Sequence, residues 1–205
     1  GTKFSKSILN KLQKFKEVIK LYKKVGFISM DEGTKEDYDL IAIHDSKNER
    51  NLFNRVIQWL QTLDDESPYQ ISRLQHCLQT ATRAEKDGAD TETIVCALLH
   101  DIGDAISPSN HSQASAAVLR PYISEKNYWI ILNHGLFQGY YWMHHYEKDR
   151  NLREKYIDHP YYQDCIDFCS KWDQESFDPN YETQSLDYFL PMIKEILSRE
   201  PQSFV

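Results

Sequence analysis

His100 and Asp101 stand side by side at the end of an apolar run, Ile94-Val95-Cys96-Ala97-Leu98-Leu99, and are followed by Ile102 and Gly103. A carboxylate placed against an apolar core must be neutralised, hydrogen-bonded or bound to a cation. Imidazole and carboxylate together suit a first-row transition metal such as iron, zinc or manganese. Four more residues of the same types follow this pair's logic: His76, His111, His134 and Asp173. Six ligands exceed a closed tetrahedral zinc site. They suit two ions bridged by a carboxylate, and Asp101 is the natural bridge because His100 beside it reaches from the same turn. Each histidine alone reads as an ordinary surface or capping residue; the ordered set, spread over separate helices, carries the metal reading.

The elements that must position these residues are all helical. Ile71 to Lys86 carries His76 and stops at Asp87-Gly88. Asp90 or Thr91 caps the next helix, with Glu92 in its first turn where the dipole favours an acid. That helix delivers His100 and Asp101, and Gly103 lets the chain turn away. His111 opens a small-residue helix closed near Pro121. Ser124 caps a helix from Glu125 to about Gly135 that carries His134. Gly135 and Gly139 flank an aromatic stretch, Phe137, Tyr140, Tyr141 and Trp142. A helix from about Tyr161 to Trp172 ends in Asp173. A terminal helix spans Leu186 to Ser198, and Pro191 should distort its first turns or mark a boundary. Upstream, helical stretches start near Asp31 and Asn51, with a polar break at Asp45 to Arg50. No strand alternation, internal repeat or low-complexity tract is visible, so the fold class is all-α.

The chain has 205 residues, 40% hydrophobic and 27% charged, as a globular protein does. No run is long and apolar enough for a membrane span, and no signal-like h-region opens the sequence. Cys77, Cys96, Cys165 and Cys169 form no Cys-x-x-Cys pair and read as packing residues in a reducing cytoplasm. The net charge of −7 is uneven. Residues 1–25 hold eight lysines and Glu17, which is +7, so the remainder carries −14. An acidic body argues against nucleic-acid binding. Phe4, Ile8, Leu12, Phe15, Ile19 and Tyr22 make residues 1–25 a basic amphipathic helix, packed on the domain, on a second subunit in a homodimer, or on an anionic surface. Residues 26–205 are expected to form one helical domain.

Ser72 to Ala81, Ala97 to Gly103, His111 to Pro121 and Lys171-Trp172-Asp173 together resemble the HD-domain superfamily, over roughly Pro68 to Asp178. They look most like the branch that includes myo-inositol oxygenase and the phosphonate-cleaving oxygenases. The resemblance implies an HD-domain helical bundle around a dinuclear metal site held by His76, His100, Asp101, His111, His134 and Asp173. It implies two ions, iron first, with Mn, Zn or Mg as alternatives. It implies an enzyme with a small-molecule substrate: an oxygenase using dioxygen on a small polar or phosphonate-like metabolite, or a phosphohydrolase of a nucleotide or small phosphate ester. A metal-stabilised, non-catalytic ligand sensor is the third reading.

The chain departs from these relatives around the site. Asp104 stands where some carry a lysine just after the His-Asp-x-Gly motif, and Gln138 where the phosphonate oxygenases carry another. Glu66 and Tyr69 repeat, in swapped order, the Tyr and Glu that gate the iron in those oxygenases, and so are candidate catalytic residues beside Asp101. The substrate-binding candidates are Gln138, His144, His145 and Arg150, with Lys148 and Arg120. Tyr140, Tyr141 and Trp142 are candidate pocket walls.

Overall fold

A computed structural model describes residues 24–202. Among them every regular element is helical, as the sequence predicts. The basic helix expected over residues 1–25 falls almost wholly outside the described residues. The chain divides into two compact units, Gly1–Asn51 and Leu52–Val205.

The first unit holds a short 3-10 turn, Met30–Glu32, and helix α1, Lys35–Arg50. Thr34 and Asp37 close a reciprocal capping box at its start. Backbone N–H groups of Gly26 and Thr34 both donate to the Asp37 carboxylate, which holds its pKa below the ordinary value. The break expected at Asp45 to Arg50 is absent. Those six residues include no Gly or Pro, Arg50 donates to Ser46 one turn back, and Lys47 and Arg50 face the negative end of the helix dipole.

The second unit contains α2 (Leu52–Thr62), α3 (Arg73–Lys86), α4 (Thr91–Leu99), α5 (His111–Leu119), α6 (Glu125–Trp142), α7 (Tyr162–Asp167) and α8 (Leu186–Leu197). Side chains of Ser72, Asp90, Ser124 and Ser185 cap α3, α4, α6 and α8. Helix α4 is the axis of this unit and packs against α3, α6 and α8. Its six residues Ile94 to Leu99 are all buried, so it is apolar all round. A nine-residue helix is marginal by itself. Burial of a Val, Leu or Ile side chain contributes about 1.5–3 kcal/mol, and this holds α4 in place. Glu92 fastens its first turn: the Ser124 backbone N–H, Asn127 and Arg199 donate to the Glu92 carboxylate.

Three expectations about element ends are corrected. Helix α6 does not stop near Gly135 but runs to Trp142. Its two glycines are used for close approach: a Cβ on Gly135 would lie 2.6 Å from Ser112 Oγ, and one on Gly139 2.5 Å from Met143 Cε. Gly103 does not act as a helix terminator. The chain continues through a 3-10 turn, Ile102–Ala105, and a Cβ on Gly103 would meet the His111 carbonyl oxygen at 2.0 Å. Pro191 lies inside α8 without ending it, because Phe189, Ile193 and Ile196 are buried on either side of it.

Candidate metal centre

Each candidate ligand sits where a helix meets its neighbours. His76 is in the first turn of α3, His100 caps the C-terminus of α4, and Asp101 follows it. His111 is the first residue of α5, and Gly103 and Gly135 allow its backbone and ring their close approach to the site. His134 lies in mid-α6. Helix α7 continues as a π-helical segment, Phe168–Asp173, closed by a Gln174 N–H to Cys169 carbonyl bond of 3.0 Å. That wider turn brings Phe168 and Asp173, five residues apart, onto one buried face.

The tautomers of three histidines follow from their hydrogen bonds. Nδ1 of His76, His100 and His134 lies 2.9, 2.8 and 2.7 Å from the carbonyl oxygens of Ser176, Ala97 and Ile131. A carbonyl only accepts, so each Nδ1 carries the proton and donates, and each neutral ring turns an Nε2 lone pair inward. The inward atoms then face one another. His76 Nε2 and His100 Nε2 are 3.1 Å apart. Asp173 Oδ1 is 3.2 Å from His76 Nε2 and 3.6 Å from His100 Nε2, and Asp101 Oδ2 is 3.6 and 3.4 Å from the same two atoms. The other Asp101 oxygen, Oδ1, lies 3.2 Å from His134 Nε2 and 3.4 Å from His111 Nε2. Asp173 Oδ2 is buried with no hydrogen-bond donor among the described residues.

Acceptors crowded in this way require a cation. Without metal, a proton takes that part at His100. Burial pulls its pKa down, but the Asp101 and Asp173 carboxylates prevail and raise it to about 9. Asp101 and Asp173 are pushed up by burial but held well below the usual carboxylate range by the facing histidines. One proton satisfies one of these contacts. A bound metal would satisfy the acceptors that one proton leaves, the orphaned Asp173 Oδ2 among them. The N and O donor set suits iron, manganese or zinc, so the residues present fit a metal.

The cluster forms the floor of a cavity of about 700 Å³, whose wall includes Tyr69, Gln138, Tyr141, Trp142, Lys148 and Phe177. Of the residues expected from sequence, His76, His100, Asp101, His111, His134 and Asp173 come together. Tyr69 and Gln138 line the cavity. Tyr69 reaches the cluster only through Phe177, which stacks on Tyr69 at 4.8 Å and on His76 at 4.5 Å. Glu66 is exposed and outside the lining, as are the exposed His144 and His145. Arg150 lies over the Tyr140 ring at 3.9 Å rather than in the cavity. Asp104 is held by Arg73 at 3.2 Å and faces His111 Nδ1 at 3.7 Å. Burial and the neighbouring Asp101 raise its pKa. Phe177, Tyr146 and Gln174 were not foreseen. Phe177 follows Asp173 by four residues in a non-helical stretch, and an aromatic so near a ligand is the signal that could have found it.

All four cysteines are free and buried. Burial raises the pKa of Cys77, Cys96 and Cys169, which makes these thiols inert packing groups. No helix among the described residues is long and apolar enough to cross a membrane.

Compared with known families, residues 73–159 match the HD domain. The match contains His76, His100, Asp101, His111 and His134 and stops short of Asp173. No curated protein matches the sequence.

Proposed function

We propose, with an HD domain over residues 73–159 as the premise, that this chain is a metal-dependent enzyme whose centre holds two ions bridged by Asp101. The observation that carries this reading is the division of the Asp101 carboxylate: Oδ2 faces His76 and His100, Oδ1 faces His111 and His134. His76, His100 and Asp173 would hold one ion, and His111 and His134 the other. Such ions supply Lewis acidity and, if they are iron, activation of dioxygen.

The protein's own part is to hold and shield. The carbonyls of Ser176, Ala97 and Ile131 fix three imidazoles in the metal-binding tautomer. Phe177 and Tyr69 cover one side of the cluster, and Tyr141, Trp142 and Tyr146 narrow the cavity above it. A wall of aromatic rings and amides, with no cluster of Lys and Arg among its described residues, supports an oxygenase acting on a small polar, phosphonate-like metabolite. Hydrolysis of a phosphate ester is the second reading, favoured by the presence of Lys148 itself.

The test is elemental analysis of protein purified without added metal, followed by electron paramagnetic resonance after partial reduction. Two irons with a coupled mixed-valent signal, and oxygen consumption on adding substrate, are expected. Redox-silent ions with phosphate release would transfer the reading to hydrolysis. No bound metal in protein refolded with iron, manganese or zinc would overturn both.

A further inference from the structure

Helix α6 does more than present His134. It ends at Trp142 and passes into a 3-10 turn, Met143–Tyr146. That turn is closed by Glu147, whose φ of 57° and ψ of 25° are left-handed, and among the described residues no other non-glycine residue has a positive φ. The Glu147 N–H donates to the His144 carbonyl at 3.3 Å and the Lys148 N–H to the Met143 carbonyl at 3.1 Å, so the chain folds back on itself there. The left-handed region is unfavourable for a residue with a Cβ and is kept where the surroundings demand it. The result of the reversal is that Lys148, fourteen positions after His134, lines the cavity above the cluster.

Lys148, an exposed side chain, is the one Lys or Arg among the described residues of that lining. Among the described residues its ammonium pairs with no carboxylate, and the lining's only carboxylates are Asp101 and Asp173, which face the histidines. Two dications would be only half neutralised by two carboxylates. With two ions bound, the floor would carry excess positive charge, and Lys148 adds an unpaired cation to a wall that also holds aromatic rings. We infer that Lys148, presented by the left-handed turn at Glu147, is the specificity-determining anchor for an oxyanion group (phosphate, phosphonate or carboxylate) of the substrate, holding it while another part of the molecule reaches the centre. This inference rests on the two-metal reading and adds the substrate's charge to it.

The experiment uses the full metal-loaded chain and three probes: inorganic phosphate, methylphosphonate and acetate. Affinities are measured by calorimetry for wild type, Lys148→Met and Lys148→Arg, with metal content read on the same samples. At least one probe should bind wild type, at least tenfold more weakly to Lys148→Met, with partial recovery in Lys148→Arg. The probe that is most weakened by Lys148→Met names the oxyanion. Equal affinity in wild type and Lys148→Met at unchanged metal content, or no binding of any probe, overturns the inference. Loss of metal from wild type itself would instead sink the two-metal reading.

Discussion

The two halves of the cluster are built to different standards of closure. His76, His100 and Asp173 are buried, and both imidazoles are locked by carbonyl groups on Nδ1. On the other side His134 is locked and buried, but His111 is 30% exposed and its Nδ1 looks toward Asp104 at 3.7 Å, beyond hydrogen-bond length. A shell that is closed and orienting favours retention of a metal. One that is open and loosely oriented leaves room for exchange and for a ligand. On the two-ion reading proposed above, the difference would place retention in the half under Phe177 and substrate access in the half beneath α5.

The largest expected effect comes from the residue the halves share. If the centre holds two ions as proposed, Asp101→Ala should leave neither tightly held, with metal content falling toward none and turnover to background. A variant that kept both ions would remove the bridge from the argument. Next, the halves should separate. His111→Ala should lose one ion and keep the other, with thermal stability close to wild type. His100→Ala should lose the ion of the closed half and also destabilise the fold by about 2–4 kcal/mol, the range for large-to-small core changes. Equal destabilisation by the two variants would erase the contrast.

A smaller effect reaches the open half through the backbone. Gly103→Ala drives a methyl into the His111 carbonyl. It should cost about 1–3 kcal/mol and weaken the more easily exchanged ion first. Chelator-release kinetics on this variant would check it, and faster release from the slow site alone would contradict the assignment.

The smallest effect is a control away from both halves. Hydrogen bonds from Ser124, Asn127 and Arg199 outweigh burial and lower the Glu92 pKa from 4.5 to about 2. A depressed carboxyl pKa contributes stability above pH 4.5 that is lost as pH falls toward 2. Discounted for solvent screening of a partly exposed group, the contribution is about 1 kcal/mol. Glu92→Gln should lower stability by that amount at pH 7, flatten the acid limb of the denaturation profile, and leave metal content unchanged at neutral pH.

Much of this was legible in order along the chain. Ile94 to Leu99 is a continuous apolar run, so a buried helix ending in His100-Asp101 follows from local sequence, and the ligand types followed from the cost of placing them there. Element ends were less legible. Gly135 and Gly139 read as punctuation, whereas they are gaps into which Ser112 and Met143 fit. The polar tract Asp45 to Arg50 reads as a break, yet nothing in it opposes a helix. Of the polar candidates that follow the aromatic stretch, Lys148 lines the cavity, whereas His144, His145 and Arg150 stand outside that lining.

Local sequence was enough for the all-helical class, the caps, the central apolar helix and the six candidate metal ligands that the fold brings together. Those depend on periodicity, local hydrogen bonding and side-chain type, all of which act over a few residues. Only the tertiary structure decided which oxygen of Asp101 faces which histidines, which carbonyls set the imidazole tautomers, and that Phe177 and Lys148 border the same space. These depend on a π-helical segment, on two glycine close approaches and on one left-handed residue. Each redirects a side chain by an amount that no spacing in the sequence encodes, because the packing of neighbouring helices is what makes it stable.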